Sequence, residues 1–560
     1  MSDSKESNPP SDGENRSESG NNAPDSRDSI GSPGTAPLTG TVQDSSDVVV
    51  GKVISESESP NLKEVEFRIL PGRDTSAGRI LGVRGERPDG RPILTLVRVD
   101  NVWENNPHED AQSSTISDAI PMETRYAEEG KSTVIYRAAR AETLEEIVLS
   151  QDGDLLSIES VETLPRAGNS VVKVDPGLIS QALNLAQDSD EGLDMGNVVG
   201  LPDTPAILNR EIAQTHILFV GGIGRGKSYA RGVLGEELAA HGVPQINLDP
   251  MGELVPTAQA VSGGINVRPG EGEFTMPLSA LTSQDVLNAI PGINESTNYA
   301  TLISYAHEDL RQEKVLQRNQ SFGVDDLLDR IREVAPKLDM DNDRTIGIAI
   351  QRTNTLRRLP YIGDAFPWKE VLEPGRIVNI DARGQLVKDL RLVAAAVARD
   401  IQRLAKARKI PFVVLSFDEA HLIAPNEDIV TTQVLREIAR IGRHYRIGLI
   451  LTTQSPSDMD RSVLKRMLTR FIFALEPDQL DSLRGVFSDA PDALIDHLPK
   501  LPRGRCLVTG VSETIKHATV MDIRERKTPD GGETPDVFDD LANRGWQRRK
   551  DYQEFIGRRQ

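Results

Sequence analysis

The stretch Gly221-Gly222-Ile223-Gly224-Arg225-Gly226-Lys227-Ser228 fits G-x-x-x-x-G-K-S. Its chemistry is that of a phosphate cradle. Glycines let backbone N–H groups converge on phosphate oxygens where a Cβ would block the approach. The N-terminus of a following helix adds partial positive charge. In such a loop Lys227 bridges the β- and γ-phosphates of ATP, and the Ser228 hydroxyl ligates Mg²⁺. The predicted nucleotide-contacting set is Gly222, Ile223, Gly224, Arg225, Gly226, Lys227, Ser228 and Tyr229. A glycine-rich turn can match this pattern by chance, but here the apolar run HILFV precedes it and the helix-forming SYARGVLGEELAAH follows.

A carboxylate strand supplies the complementary half of the chemistry. In FVVLSFDEAH, five of the six residues at 412–417 are apolar, as a strand buried on both faces requires. Asp418 at its end would hold the Mg²⁺ water shell, and Glu419 would polarise the attacking water. An Asp-Glu pair after an arbitrary strand means little, whereas paired with a phosphate loop it indicates hydrolysis rather than storage of nucleotide. A second buried run, IGLILTTQ, ends in Gln454, placed to sense the γ-phosphate or align water, though a polar residue at a strand end is ordinary. Upstream, REIARIGRHYRIG presents Arg436, Arg440, Arg443 and Arg446 around one helix end. One of them can serve as an arginine finger, or all can simply favour a helix C-terminus.

Two familiar NTPase readings fail. DEAH spells a helicase box, but the chain after Glu419 is too short for a second ATPase lobe and already includes the last sheet strands. No Asn-Lys-x-Asp base-recognition motif exists, which argues against a GTPase.

The elements that must position these residues read as a RecA-like α/β P-loop ATPase domain. Strands and helices alternate through HILFVGG, VPQINLDP, RIVNIDAR, FVVLSFDEAH and IGLILTTQ, the pattern of a parallel sheet with crossover helices. The expected organisation is a disordered acidic head (1–45), an N-terminal β-barrel for assembly (46–175), the first ATPase part (176–255), a helical insertion (256–370), the second ATPase part (371–525) and a polar, basic tail (526–560). The head carries eight acidic residues against three basic and almost no large apolar ones, so it cannot offset its ordering entropy. Short Val/Ile-rich runs punctuated by Gly, Pro and Asp, among them EVEFRIL, AGRILGVRG, STVIYRAAR and EEIVLS, have the spacing of a small barrel or sandwich. Residues from VVKVDPG to PAILN read as a bridge, and LPRGRCLVTG reads as an edge strand.

Composition bounds the partners. With 560 residues and a formal net charge of −20, the chain has no overall field drawing it to nucleic acid or anionic membrane, so any DNA contact must come from a locally basic surface. An acidic cytosol would select the same balance. The single cysteine, Cys506, precludes an intramolecular disulfide. The N-terminus is not a signal peptide, and no apolar run spans a bilayer, which predicts a cytoplasmic protein without a membrane partner.

Together the P-loop, LDPMGEL, FDEAHLIAP, EIARIGRHYRIGLILTTQSPSDMD and LPRGRCLVTG resemble the HerA family of hexameric DNA translocases, within the HerA–FtsK class of P-loop motors. The resemblance covers roughly residues 46–525. It implies a homo-hexameric ring that moves along double-stranded DNA using ATP and Mg²⁺, a NurA-like nuclease partner, and a part in processing DNA ends during break repair. It also implies that the short N-terminal β-runs form a barrel, that Gln454 is the sensor glutamine, that Arg443 acts in trans with Arg440 as its alternate, and that Asp249 and Glu253 support the site. Two departures stand out. Relatives commonly read Thr-Gly-Ser-Gly-Lys-Ser in the loop, where this chain has Arg225 before Gly226, and they open the first strand with Arg-His, where this chain has Thr215-His216.

Candidates for phosphate contacts in a pore are Arg352, Arg357, Arg358, Lys388 and Arg391, although most helical basic residues are simply solvated. The tail cluster Arg548, Arg549 and Lys550, with Trp546 and Tyr552 nearby, can grip DNA or a partner, but reads first as a solvated amphipathic tail. The alternatives are a DNA-pumping or antiviral-defence ATPase of the same class, and an ATP-gated scaffold that recruits a nuclease without moving DNA.

Overall fold

The computed structural model describes residues 49–532 and 543, apart from 56–58, 106–135, 202–203, 271, 319, 487–489 and 512–513. The acidic head and the C-terminal cluster Arg548–Lys550 lie outside the described residues.

The N-terminal strands β1 (Val49–Ile54), β2 (Glu64–Ile69), β3 (Ile80–Glu86), β4 (Pro92–Asn105), β5 (Tyr136–Leu149), β6 (Leu155–Glu159) and β7 (Ser170–Val172) form one antiparallel sheet. Its order is β2-β1-β7-β3-β4-β5-β6, and an added β2–β5 pairing closes six of the strands into a barrel, with β6 appended to β5. Closure leaves no free ladder edges between those six. Val50, Val53, Val65, Phe67, Leu81, Val83, Val97 and Ala141 fill it. Tyr136–Arg140 of STVIYRAAR and Glu145–Leu149 of EEIVLS, read as two runs, lie in one long β5, whose register against β4 shifts between Thr95 and Val97 and again between Val99 and Asn101.

After helix α1 (Pro176–Ala182), β8 (Gly192–Val198) and β9 (Pro205–Asn209) enter a second sheet. It contains β10 (Ile217–Val220), β11 (Gln245–Asp249), β12 (Ile265–Val267), β13 (Ile377–Asp381), β14 (Val413–Phe417), β15 (Ile447–Thr453), β16 (Thr469–Ile472), β17 (Arg505–Thr509) and β18 (Thr519–Ile523). The order is β12-β13-β11-β14-β15-β10-β16-β17-β18-β8-β9; β12 to β16 run parallel, and β16 onward pair antiparallel. The segment read as a bridge therefore supplies a barrel strand and two sheet strands. LPRGRCLVTG forms β17, which is interior rather than an edge, because β18, β8 and β9 extend the sheet beyond it.

Most of the parallel strands are buried on both faces because helices cover both sides. All four residues of β10 are buried, and Phe219 stacks on Phe471 of β16 with ring centroids 4.6 Å apart. The P-loop helix α2 (Lys227–Ala240) follows β10, and the short α3 (Val255–Ala260) follows β11. The insertion contributes α4 (Ser283–Ala289), α5 (Asn298–Leu310), α6 (Val324–Val334) and α7 (Asp343–Asn354). In α6, Val324, Leu327, Leu328, Ile331 and Val334 recur at three- and four-residue spacing and are all buried. A capping box of Thr282 and Asp285 starts α4. After the short α8 (Trp368–Val371) and β13 comes α9 (Val387–Lys406), whose Arg399 meets Asp285 at 2.6 Å and ties the insertion to the sheet layer. The short α10 (Ala420–Ile423) and α11 (Val430–Ile441) lie between β14 and β15.

Barrel and sheet meet through a buried carboxylate. Glu145 of β5 accepts from Lys516 Nζ at 2.8 Å and faces His517 Nε2 at 2.7 Å, both just before β18. Among the described residues no helix is long and apolar enough to cross a membrane.

Candidate functional site: a phosphate loop facing two carboxylate strands

The loop 221–226 leaves the C-terminal end of β10 and enters α2 through residues only glycine adopts easily, Gly224 at φ +69° and Gly226 at φ +107°. A Cβ on Gly226 would lie 3.2 Å from the Gly504 nitrogen, and that same N–H donates to the Arg225 carbonyl at 3.1 Å. The turn before β17 thus braces the loop. Lys227 is buried, and its Nζ donates to the Gly222 carbonyl at 2.9 Å, folding the ammonium across the loop mouth. Burial lowers its pKa, opposed by the carboxylates of Glu419, Asp418 and Glu253. Gly222, Ile223, Gly224 and Arg225 line a cleft of about 540 Å³ with Gln454, Ser455 and Glu476. Ile223 at its tip is 84% exposed, open to whatever occupies the cleft.

The order of strands explains why these groups converge. β14 and β15 lie on one side of β10, and all three end at the same edge of the sheet. Asp418 follows β14 and is buried; burial pushes its carboxyl up to about 7 against the nearby Arg231. Glu419 adopts a left-handed conformation (φ 47°), which costs about 1 kcal/mol or more for a non-glycine residue and turns its side chain at the start of α10. Its Oε1 accepts from Gln454 Nε2 at 3.1 Å, while Oε2 lies 3.2 Å from His421 Nδ1 and is buried without a hydrogen-bond donor. Burial raises its pKa, with His421 and Lys227 opposing. Gln454, Glu419 and Lys227 therefore belong to one polar cluster.

Asp249 ends β11 but faces its own turn. Its carboxylate accepts from the backbone N–H groups of Gly252 (2.7 Å), Glu253 (3.1 Å) and Leu254 (2.9 Å), so it shapes the loop that presents Glu253.

One residue of this centre was missed by sequence reasoning. Arg231, one turn after Lys227 on α2, is buried and donates to Ser416 Oγ (2.9 and 2.6 Å) and Asn247 Oδ1 (2.7 Å). Burial draws its pKa down to about 10, with Asp418 and Asp249 opposing. The nearest signal in the sequence is Ser416, a lone polar residue in the apolar strand β14, and Asn247, one of three polar residues of the buried β11.

The arginines separate by their surroundings. Arg436 is engaged by Asp428 (2.6 Å) and Asp460 (2.8 Å). Arg440 and Arg443 are exposed, and neither has a carboxylate partner among the described residues. Arg443 precedes β15, whereas Gln454 follows it, so the seven-residue strand puts roughly 20 Å between Arg443 and its own phosphate loop. Near Arg443 lies His216, buried before β10 and held neutral by burial, with its pKa down to about 4. Thr215 and His216 thus sit at the sheet edge opposite the P-loop.

Of the pore candidates, Arg352 donates to the Pro291 carbonyl (3.0 Å), Arg357 pairs with Asp325, and Arg391 donates to the Leu422 carbonyl (2.7 Å). Lys388 lines a small hollow with Arg391, Asn288 and Thr431, and Arg358 is exposed.

The residues present fit nucleotide and Mg²⁺ together. Among the described residues the Ser228 hydroxyl makes no side-chain hydrogen bond, Asp418 is a buried carboxylate whose charge reaches the neighbouring Lys227, and Glu419 Oε2 is an orphan acceptor. Among the described residues no cluster of three or more His, Cys, Asp or Glu would hold a metal by itself. That suits an ion bound by one or two protein groups and the phosphates of its nucleotide.

Loop, carboxylate strand and parallel strand order define a RecA-like P-loop ATPase fold. Residues 193–401 match the family described as "Helicase HerA, central domain". The chain is similar to the DNA double-strand break repair helicase HerA of Pyrococcus furiosus, 22% identical over 511 residues, covering 80% of this chain and 87% of the relative. It is 25% identical over 171 residues to the protein of the same name from Sulfolobus acidocaldarius, covering 28% of this chain and only 33% of the relative. Among solved structures, VirB4 of Thermoanaerobacter pseudethanolicus aligns with a TM-score of 0.47 and 14% identity, over 61% of this chain and 98% of that one.

Proposed function

We propose that this protein is an ATP-driven, ring-shaped translocase or helicase on double-stranded DNA, acting with a nuclease in DNA end processing. The observation that carries the ATPase part is the convergence of four groups: the carboxylates of Glu419 and Asp418 act on the buried Lys227, and Gln454, which lines the cleft at the loop, donates to Glu419. Phosphates lie against the loop N–H groups and Lys227. Ser228 and Asp418 would hold Mg²⁺, which when bound would neutralise charge on the triphosphate. Glu419 accepts the proton of the attacking water, and Gln454 fixes the Glu419 carboxylate and orients that water. Burial suits Glu419 to this task, because a carboxylate with a raised pKa is a better base near neutral pH.

The placement of Arg443 at the opposite sheet edge supports action on a neighbouring subunit, hence a homo-hexamer, with Arg440 as alternate. Relatives named as DNA double-strand break repair helicases support the DNA substrate and the repair role. A NurA-like nuclease partner and a cytoplasmic setting belong to the same proposal and rest on the motif resemblance alone. Phosphate contacts then fall to Arg358 and Lys388, exposed and without partners among the described residues.

The test is steady-state ATP hydrolysis with and without linear duplex DNA across a salt series, beside Lys227→Ala and Glu419→Gln. Phosphate contacts weaken steeply with salt, so stimulation should fall as salt rises. DNA stimulation lost in both variants is the expected result. Hydrolysis indifferent to DNA at every salt would overturn the motor and favour the scaffold.

A further inference from the structure

The stretch after β18 was read from its sequence as the start of a free polar tail, yet Arg524–Gly532 lies along the P-loop helix. Two consecutive buried glutamates of α2 receive it. Glu236 accepts from Thr528 N (2.7 Å), Thr528 Oγ1 (2.6 Å) and Lys527 N (3.1 Å), and pairs with Arg524 at 3.0 Å. Glu237 pairs with Arg524 at 2.6 Å and Lys527 at 3.3 Å. Two carboxylates buried on a helix are costly unless their lone pairs are met in this way.

At the centre is Arg526, whose side chain is 2% exposed. It pairs with Asp530 at 2.9 Å and donates to Thr257 on α3. Its backbone N–H donates to the Tyr229 hydroxyl at 2.8 Å, and its guanidinium lies 5.6 Å from that ring's centroid. Gly232 makes room for it: a Cβ there would stand 2.5 Å from the guanidinium carbon. Beyond, Gly531 and Gly532 cover Glu253. A Cβ on Gly531 would meet the Glu253 carbonyl oxygen at 2.5 Å, and one on Gly532 would come within 3.2 Å of its carboxyl carbon. The segment therefore touches both flanks of the phosphate cradle: Tyr229, the residue after Ser228, and Glu253, whose charge reaches Lys227 and Asp418.

We propose that Arg524–Gly532 is a strap that positions α2 and Glu253 for nucleotide turnover, with Arg526 as its anchoring residue. The proposal rests on the P-loop being a working ATP site. Arg526 touches no nucleotide and acts through α2 and Glu253, so it is a positioning residue. Phosphate binding to loop N–H groups tolerates a small shift of the helix, but hydrolysis demands aligned reacting atoms, so the strap should control kcat more than KM.

The experiment measures kcat and KM for ATP in the full chain carrying Arg526→Ala, Gly531→Ala or Lys227→Ala, with thermal unfolding of each. Gly531→Ala lifts the strap from Glu253 while leaving every ion pair to α2 in place. Each strap variant is expected to lose about tenfold or more in kcat, because misplacement of about 1 Å costs up to 100-fold, with KM changed less than about threefold. Should Arg526→Ala fail to fold, Gly531→Ala decides alone. Parent kcat and KM in folded Gly531→Ala, while Lys227→Ala is inactive, would overturn the strap and leave the site. Parent-like hydrolysis by Lys227→Ala would overturn the site itself and the strap with it.

Discussion

His307 offers a quantitative test of the insertion's core. It lies on α5 with no exposed surface, and its Nε2 donates to the Leu278 carbonyl at 3.1 Å. Its Nδ1 is buried without a partner, and Phe322 meets the ring edge-on at 5.1 Å. Protonation would place a charge and a second donor where neither is met. Burial therefore depresses the pKa to about 4, with the Leu278 carbonyl the main opposing influence; Arg311 and Arg399 add to the depression, and Asp285, paired with Arg399, opposes it. A base whose folded pKa lies below its unfolded value stabilises the fold above the unfolded pKa and loses that stability as pH falls toward the folded one. At pH 7.5 both states are neutral. At pH 5 the unfolded imidazole is mostly protonated and the folded one mostly neutral. Taking about 6.5 and about 4 for the two states, His307 alone makes the fold about 2 kcal/mol less stable at pH 5 than at pH 7.5.

The perturbation is His307→Gln, which keeps a donor for the Leu278 carbonyl and removes the titration. Urea unfolding would be followed by tryptophan fluorescence at both pH values, with Trp368, 4.7 Å from Phe366 in the same core, as reporter. His216, also depressed to about 4 by burial beside Arg443, titrates in both proteins, so the difference between the two pH dependences isolates His307. The variant is expected to start less stable at pH 7.5 and to lose about 2 kcal/mol less on acidification. Parallel losses in parent and variant, within about 0.5 kcal/mol, would refute the assignment of an unmet buried imidazole.

Two further outcomes follow from the geometry. Arg443→Ala should cut ATP hydrolysis by about 1,000-fold while leaving nucleotide binding intact, and mixing it with Lys227→Ala should restore turnover in mixed rings; no restoration would place the arginine's action within its own chain. Glu145→Gln should cost about 3 kcal/mol where barrel meets sheet, since Lys516 would keep its charge without a carboxylate, and should split thermal unfolding into two steps; a single unshifted transition would refute that coupling.

Local features were legible in the sequence and long-range ones were not. The phosphate loop announces itself because strand, glycines and helix are consecutive, and Asp418 because an apolar run must stop where the sheet ends. The barrel was legible from its short punctuated strands, although β7 hid in VVKV because three residues carry no alternation. Arg231 was invisible because an arginine four residues after the loop lysine reads as a solvated helix residue until Ser416 and Asn247 are placed beneath it. The strap was hidden for a related reason. RERKTPDGG is polar throughout, and only the buried pair Glu236–Glu237, far away in sequence, gives it something to dock on. Arg352 and Arg357 read as free cations and are engaged by Pro291 and Asp325.

The strand order also governs how the molecule comes into being on the ribosome. β10 carries the phosphate loop, yet its two neighbours are β15 and β16, so its ladder stays open until residue 472 has been made. β8 waits longer still, for β18 and residue 523, and Glu145 of the barrel waits for Lys516 and His517. The nascent chain thus carries a finished barrel ahead of an unpaired apolar strand from residue 220 until β15 and β16 have been made, a state prone to wrong pairing. Because the strap Arg524–Gly532 follows β18, the glycine loop at 221–226 is made long before the segment that supports its helix.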